Sequence, residues 1–189
     1  ALITLETHNP AAFQNAFRLR SHHLEIGSVF QDPAPWRTEV PLIVMSPDPG
    51  GVKRAQLFRE SVQARLKQDV GFGFMEKRRS DGIMTSGDIV GDFDGKTVVI
   101  VDDMIASGGT MITAAQTCKA RGARKIYALA AHGLFTQGAD ALFSGDLFER
   151  VFVSDSIAPF RLKDGDRTAR LEIVDTADVF ADLLRGLGP

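Results

Sequence analysis

Apolar residues in this chain come in short runs, and the runs alternate with longer stretches whose apolar positions recur every three or four residues. The runs are Leu2–Leu5, 40–45, 70–75, 98–101, 123–131, Arg150–Ser154 and Leu171–Val174. Each is rich in Val, Ile, Leu or Phe, and each is too short for a buried helix, so each predicts a strand. Helical spacing marks 11–18, where Ala12, Phe13, Ala16 and Phe17 share a face. It recurs over 52–67, over 111–121 closed by Gly122, from 134 to 142, and over 176–184. In the last of these Val179, Phe180, Leu183 and Leu184 form one apolar stripe behind Thr176 as N-cap. Alternating strands and helices predict an α/β fold with a parallel sheet flanked by helices.

The most informative stretch is 98–110, Val-Val-Ile-Val-Asp-Asp-Met-Ile-Ala-Ser-Gly-Gly-Thr. Four β-branched residues should form a buried strand, with Asp102 and Asp103 where it ends. Ser107, Gly108, Gly109 and Thr110 then make a tight turn into a helix. In parallel α/β sheets ligands bind at this edge. Glycines let backbone N–H groups converge on an anion, and the helix adds the positive end of its dipole. The loop suits a phosphate. The carboxylates suit sugar hydroxyls or a hard cation such as Mg²⁺.

A second run has the same logic: Ser-Pro-Asp-Pro-Gly-Gly-Val-Lys-Arg-Ala at 46–55 places Asp48 beside Gly50 and Gly51 at a helix start. Asp48 is either a helix-entry residue favoured by the dipole or a ligand. Arg54 falls inside the helix, where a structural role is the simpler reading. His8 follows the first strand, in Glu-Thr-His at 6–8, with Asn9 or Thr7 able to cap a helix beginning at Pro10. His22 and His23 are adjacent, so they cannot share a helix face as metal ligands would, and read as loop or surface residues. Glu-Lys-Arg-Arg at 76–79 opens a polar segment reaching Gly91.

Composition changes the picture little. A hydrophobic share of 44%, a charged share of 24% and a net charge of -2 are those of an ordinary globular protein, with no signature of a nucleic-acid partner or an anionic membrane surface. No apolar run is long enough for a membrane span and no secretory signal opens the chain. The lone Cys118 has no internal disulfide partner, which fits a cytoplasmic setting. The Pro-rich segment Gln-Asp-Pro-Ala-Pro-Trp at 31–36 is the best domain boundary, with Trp36 at the junction.

In order along the chain, His8, the run 46–55, Lys77 to Arg79 and the stretch 98–110 together resemble the ribose-phosphate diphosphokinase (phosphoribosyl diphosphate, or PRPP, synthetase) family, which has the type I phosphoribosyltransferase fold. The resemblance covers nearly the whole chain. It implies transfer of a diphosphoryl group from Mg-ATP to ribose 5-phosphate, giving PRPP and AMP. It assigns Asp102, Asp103, Ala106, Ser107, Gly108, Gly109 and Thr110 to ribose 5-phosphate, and Asp48, Gly50 and Gly51 to the diphosphate. It assigns His8 and Asp48 to the metal–nucleotide, and Lys77 and Arg79 to catalysis from a flexible loop.

The sequence departs from the family pattern at Glu6, at Ala106, and at Ser107 and Ala131, which each stand where the family has Thr. Ala106 stands where most such loops carry Asp, and Glu6 stands where the family has Asp. Family members consist of two similar domains. The resemblance therefore implies that 1–32 is a remnant of the first, that 33–175 is the second and holds the ribose-phosphate site, and that 176–189 packs back on the first. The chain opens inside a strand, which reads as a fragment that would oligomerise with itself when full length. Two other readings stand beside this one: a phosphoribosyltransferase using PRPP, and a non-catalytic subunit associated with PRPP synthetase.

Overall fold

A computed structural model describes residues 1–30, 41–76, 78–80, 83–85, 88–162 and 170–187, with 78–80 and 83–85 described as backbone. The elements in chain order are β1 (Leu2–Leu5), α1 (Pro10–Ala16), β2 (Ser21–Leu24), α2 (Ile26–Val29), β3 (Leu42–Ser46), a 3₁₀ turn (Pro49–Gly51), α3 (Val52–Leu66) and β4 (Gly71–Met75). There follow β5 (Arg78–Ser80), β6 (Ile83–Thr85), β7 (Ile89–Val90), β8 (Thr97–Ile105), α4 (Gly109–Ala120) and β9 (Lys125–Gly133). A second 3₁₀ turn (Ala139–Phe143), β10 (Arg150–Ser154), β11 (Leu171–Val174) and α5 (Ala177–Gly186) complete the described chain.

One seven-stranded sheet carries the fold, in the order β11-β10-β9-β8-β3-β4-β7. Its pairings are parallel except β4 with β7. The α/β expectation holds. The central strand β8 is buried on both faces, as a near-continuous β-branched run should be. Its residues alternate between two cores. Val98 and Ile100 pack with Met111, Ala114, Ala115 and Cys118 of α4. Val99 and Val101 pack with Ala55, Phe58 and Val62 of α3 and with Ile26, Val29 and Phe30. The second core therefore binds residues 26–30 to the sheet.

Several elements differ from the sequence pattern. β8 does not end at Val101: it runs on through Asp102 and Asp103 to Ile105, because β9 keeps pairing with it as far as Ile105–Gly133. His22 and His23 are not loop residues. They lie in β2, which pairs in parallel with β1 and forms a separate two-stranded sheet. The apolar stretch after Gly133 does not form a helix from 134. Phe135 and Gly138 both have positive φ, at 45° and 98°, and only the 3₁₀ turn at 139–143 follows. Thr176 precedes α5, but its side chain donates to Asp155 Oδ1 at 2.7 Å rather than capping the helix. Trp36 lies outside the described residues, as does most of the connector around it. Among the described residues no helix is long and apolar enough to cross a membrane.

Candidate ribose-phosphate site

A cleft of about 970 Å³ opens at the carboxyl edge of the sheet, between β8, α3 and α4. Its lining includes His8, Asp48, Gly50, Gly51, Arg54, Asp102, Asp103 and every residue from Met104 to Met111. The structure therefore brings together, in one cleft, every predicted site residue except Lys77 and Arg79. Lys77 lies outside the described residues, and Arg79 lies in β5, which pairs antiparallel with β6.

The loop after β8 owes its shape to one glycine. Gly108 has φ 80° and caps α4, a conformation that side chains other than glycine's rarely adopt. A Cβ there would also meet Leu142 Cγ at 2.6 Å. Gly109 begins the twelve-residue helix α4, and a Cβ there would have only Ser107 Oγ nearby, at 3.8 Å. Ala106, Ser107, Gly109 and Thr110 are exposed along the cleft. The unpaired N–H groups of the first turn and the dipole favour an anion there.

Opposite this loop, Ser46 Oγ donates to the Asp48 carbonyl at 2.6 Å, and Asp48 Oδ1 accepts from Gly51 N at 3.1 Å. These bonds fold the Pro-Gly-Gly turn back on itself before α3. A Cβ on Gly51 would lie 2.7 Å from Ser46 Oγ, so this bend requires glycine.

Charged side chains join the segment after β1 and α3 to the end of β8. His8 Nδ1 stands 2.7 Å from Asp103 Oδ2, joining residues 95 apart in the chain. Arg54 Nε donates to Glu6 Oε1 at 2.8 Å, and its Nη1 donates to Asp102 Oδ1 at 3.3 Å. Its Nη2 lies 3.7 Å from Asp103 Oδ2. Arg54 is therefore not simply a helix residue: it reaches both motif carboxylates. The sequence gives no local sign of this, because its three partners come from two distant segments.

The two aspartates are electrostatically unlike. Burial pushes the Asp102 carboxyl up to about 7, helped by its hydrogen bond with Asp103 and by that neighbour's charge. Burial acts on Asp103 in the same direction. The hydrogen bond from Asp102, the Arg54 guanidinium and His8 together outweigh it and hold Asp103 below the usual carboxylate range. Of the two, Asp102 is the one that keeps its proton toward neutral pH, and Asp103 the one that gives it up.

Mg²⁺ takes oxygen ligands, keeps several waters and commonly uses one or two carboxylates together with substrate phosphates. Asp48 and Asp102 offer such oxygens at the cleft. Among the described residues no three His, Cys, Asp or Glu side chains converge into a cage. The donor set fits a cation carried in with phosphate. His8 has Nδ1 committed to Asp103, leaving Nε2 for any contact with a metal–nucleotide.

Comparison with known proteins gives concordant results. A family model described as "Phosphoribosyl synthetase-associated domain" matches residues 83–187. The ribose-phosphate pyrophosphokinase of Synechocystis is 33% identical over 184 residues, covering 97% of this chain and 53% of that protein. That of Mycoplasma genitalium is 35% identical over 148 residues, covering 76% of this chain and 42% of that protein. The crystal structure of phosphoribosylpyrophosphate synthetase from Mycobacterium smegmatis superposes with a TM-score of 0.81. The two share 24% identity, and the match covers 98% of this chain and 57% of that one, which shows a common fold. The chain spans about half the length of the curated relatives it matches.

Proposed function

The chain belongs to the PRPP synthetase family, and from that premise we propose that it forms the ribose-phosphate half of a ribose-phosphate diphosphokinase. In this reading the 5-phosphate sits on the loop Ser107–Thr110 and the N-terminus of α4. Asp102 and Asp103 meet the ribose hydroxyls, and the diphosphate of ATP lies over Gly50 and Gly51 beside Asp48. The observation that supports it most is the His8–Asp103 contact. It brings the residue assigned to the nucleotide against a residue assigned to the sugar, so donor and acceptor face each other across one cleft.

The anomeric hydroxyl attacks the β-phosphorus of ATP, the bond from that phosphorus to the oxygen bridging it to the α-phosphorus breaks, AMP leaves with that oxygen, and the hydroxyl proton passes to solvent. Asp48, with His8 beside it, would hold Mg²⁺, which would supply neutralisation of the phosphate charge. The chain's own contribution is positioning and fixed charge. The loop amides hold the acceptor phosphate, and the carboxylates orient the sugar. Lys77 and Arg79 supply cations to the transferring group. The full-length protein forms homo-oligomers, and a two-domain organisation divides at 33 and 176.

Ala106 favours a second reading, a non-catalytic ribose-phosphate-binding subunit. The carboxylate that most family loops place near the ribose phosphate is missing here, and the position is exposed in the cleft. One experiment separates the two. The polypeptide, and a version extended upstream, are incubated with Mg-ATP and ribose 5-phosphate, and AMP and PRPP are quantified. Stoichiometric AMP and PRPP from the extended protein support the diphosphokinase. Saturable ribose 5-phosphate binding with no product from either supports the binding subunit. No ribose 5-phosphate binding by either form would refute both.

A further inference from the structure

Arg54 is surrounded by carboxylates. Glu6 lies on one side of its guanidinium, Asp102 and Asp103 on the other. The Arg54 side chain is only 12% exposed, and those of Glu6 and Asp103 only 7% and 4%. Desolvating such a group of charges is expensive, and well-packed apolar side chains would often stabilise a fold as well or better. Its presence at the floor of the cleft therefore calls for a reason other than stability.

The network's connections supply one. Glu6 is not free to follow Arg54: its second oxygen, Oε2, accepts from Ile26 N at 2.6 Å, so the start of α2 fixes it. Glu6 also has φ 40°, a left-handed conformation unusual for a non-glycine residue, which turns the chain sharply after β1. Two residues later His8 bonds Asp103. The contacts thus close a ring: Ile26 holds Glu6, Glu6 holds Arg54, Arg54 holds Asp102 and reaches Asp103, and Asp103 holds His8 on the segment where Glu6 began. A planar guanidinium with donors in a rigid fork can serve acceptors on two sides at once, which a lysine ammonium on a flexible stem cannot do in the same geometry.

We infer that Arg54 is a positioning residue for the sugar-binding carboxylates: it sets the rotamers of Asp102 and Asp103 and, through Glu6, docks the His8-bearing end of β1 against them. In this role it acts through the two aspartates rather than on the phosphate or the sugar. The inference rests on the reading that Asp102 and Asp103 meet the ribose. It adds that the acid pair is competent only while the 6–8 segment is clamped to it. Glu6, one carbon longer than the family's Asp, takes part in that clamp.

The test uses Arg54→Lys and Glu6→Gln in the whole chain, with ribose 5-phosphate affinity by calorimetry, the thermal midpoint, and a crystal structure of Arg54→Lys. Lysine keeps the charge and most of the packing, so the midpoint should change little, while affinity should fall about tenfold as the fork is lost. Glu6→Gln should weaken binding by a smaller factor, about threefold, since an amide still accepts one hydrogen bond. In the Arg54→Lys crystal structure the Asp102 and Asp103 carboxylates should rotate, and His8 Nδ1 should part from Asp103 Oδ2. Arg54→Lys binding as tightly as the wild type would overturn the inference, as would unchanged aspartate rotamers with His8 still in contact. A merely structural arginine would show the opposite split, a lowered midpoint with unchanged affinity in the folded protein. Should the wild type itself fail to bind ribose 5-phosphate, the functional reading fails, and the crystal structure alone decides whether Arg54 orders the aspartates.

Discussion

His132 Nε2 lies 3.1 Å from the carbonyl oxygen of Leu5, while its Nδ1 lies 2.9 Å from Ser156 Oγ. A carbonyl can only accept, so Nε2 carries a proton and donates it to Leu5. The imidazole at the end of β9 thereby ties the end of β1 to the main sheet, directly before Glu6 and His8.

Replacing His132 with alanine should loosen that tie without touching either phosphate loop. The expected loss is about 1 kcal/mol of stability, the net worth of an intramolecular hydrogen bond. Hydrogen exchange should quicken at the amides of Leu2–Leu5, where β1 pairs with β2, and stay unchanged in β8. Equal protection of β1 in the variant and the wild type would show that the imidazole does not hold this strand.

The raised Asp102 carboxyl predicts a pH dependence. A carboxyl whose folded pKa exceeds its unfolded value contributes its full stability below the unfolded value of 3.8, and that contribution is lost as pH rises through about 7. Asp103, held low, acts in the opposite sense, and its contribution is lost only in acid, below its unfolded value of 3.8. Between the unfolded value of 3.8 and about 7 Asp102 therefore sets a falling slope, and the thermal midpoint should drop as pH rises through that range. Asp102→Asn mimics the neutral acid, so it should flatten that slope, leave the midpoint nearly unchanged at about pH 4 and raise it at about pH 7. Ribose 5-phosphate binding should nevertheless weaken, because an amide presents one acceptor where the carboxyl presents two oxygens. A large loss of stability at pH 6 with affinity intact would make Asp102 a structural residue.

The two neighbouring loop glycines should fail in different ways. Gly108→Ala forces a side chain into a φ of 80° and against Leu142, so stability should drop by roughly 1–3 kcal/mol. Gly109→Ala meets no close neighbour and replaces glycine with a better helix former, so the midpoint should hold or rise. The new methyl group stands at the first turn of α4, facing the cleft, and inorganic phosphate or ribose 5-phosphate should bind at least about tenfold more weakly. Thermal shift with and without ligand reads both effects.

Ala106→Asp restores the carboxylate that this loop lacks. The site is exposed, and the Ala106 carbonyl keeps its bond from Thr136 N at 3.0 Å whatever the side chain, so the fold should not change. If the chain works as a diphosphokinase, PRPP formation in the upstream-extended protein should increase severalfold. A variant with unchanged or lower turnover would show that this position does not limit catalysis.

The phosphate loop and the acid pair were legible in the sequence because they are local: a β-branched run, two aspartates and a glycine bend occur within thirteen residues. The role of Arg54 was not, since it depends on Glu6 and on Asp102 and Asp103 arriving from opposite directions along the chain. β2 went unseen because Ser21, His22 and His23 have neither apolar alternation nor β-branching, and only pairing with β1 makes them a strand. The extension of β8 past Val101 likewise follows from its neighbour β9, which no local propensity records.

The alternation along β8 has a consequence for which changes this protein can tolerate. Because Val98 and Ile100 face one layer while Val99 and Val101 face the other, the length of the strand fixes which way each aspartate emerges. A single inserted or deleted residue would exchange the two layers' side chains and send both acids to the wrong neighbours. The rim admits a change at an exposed position such as Ala106, but the spacing beneath it admits no drift.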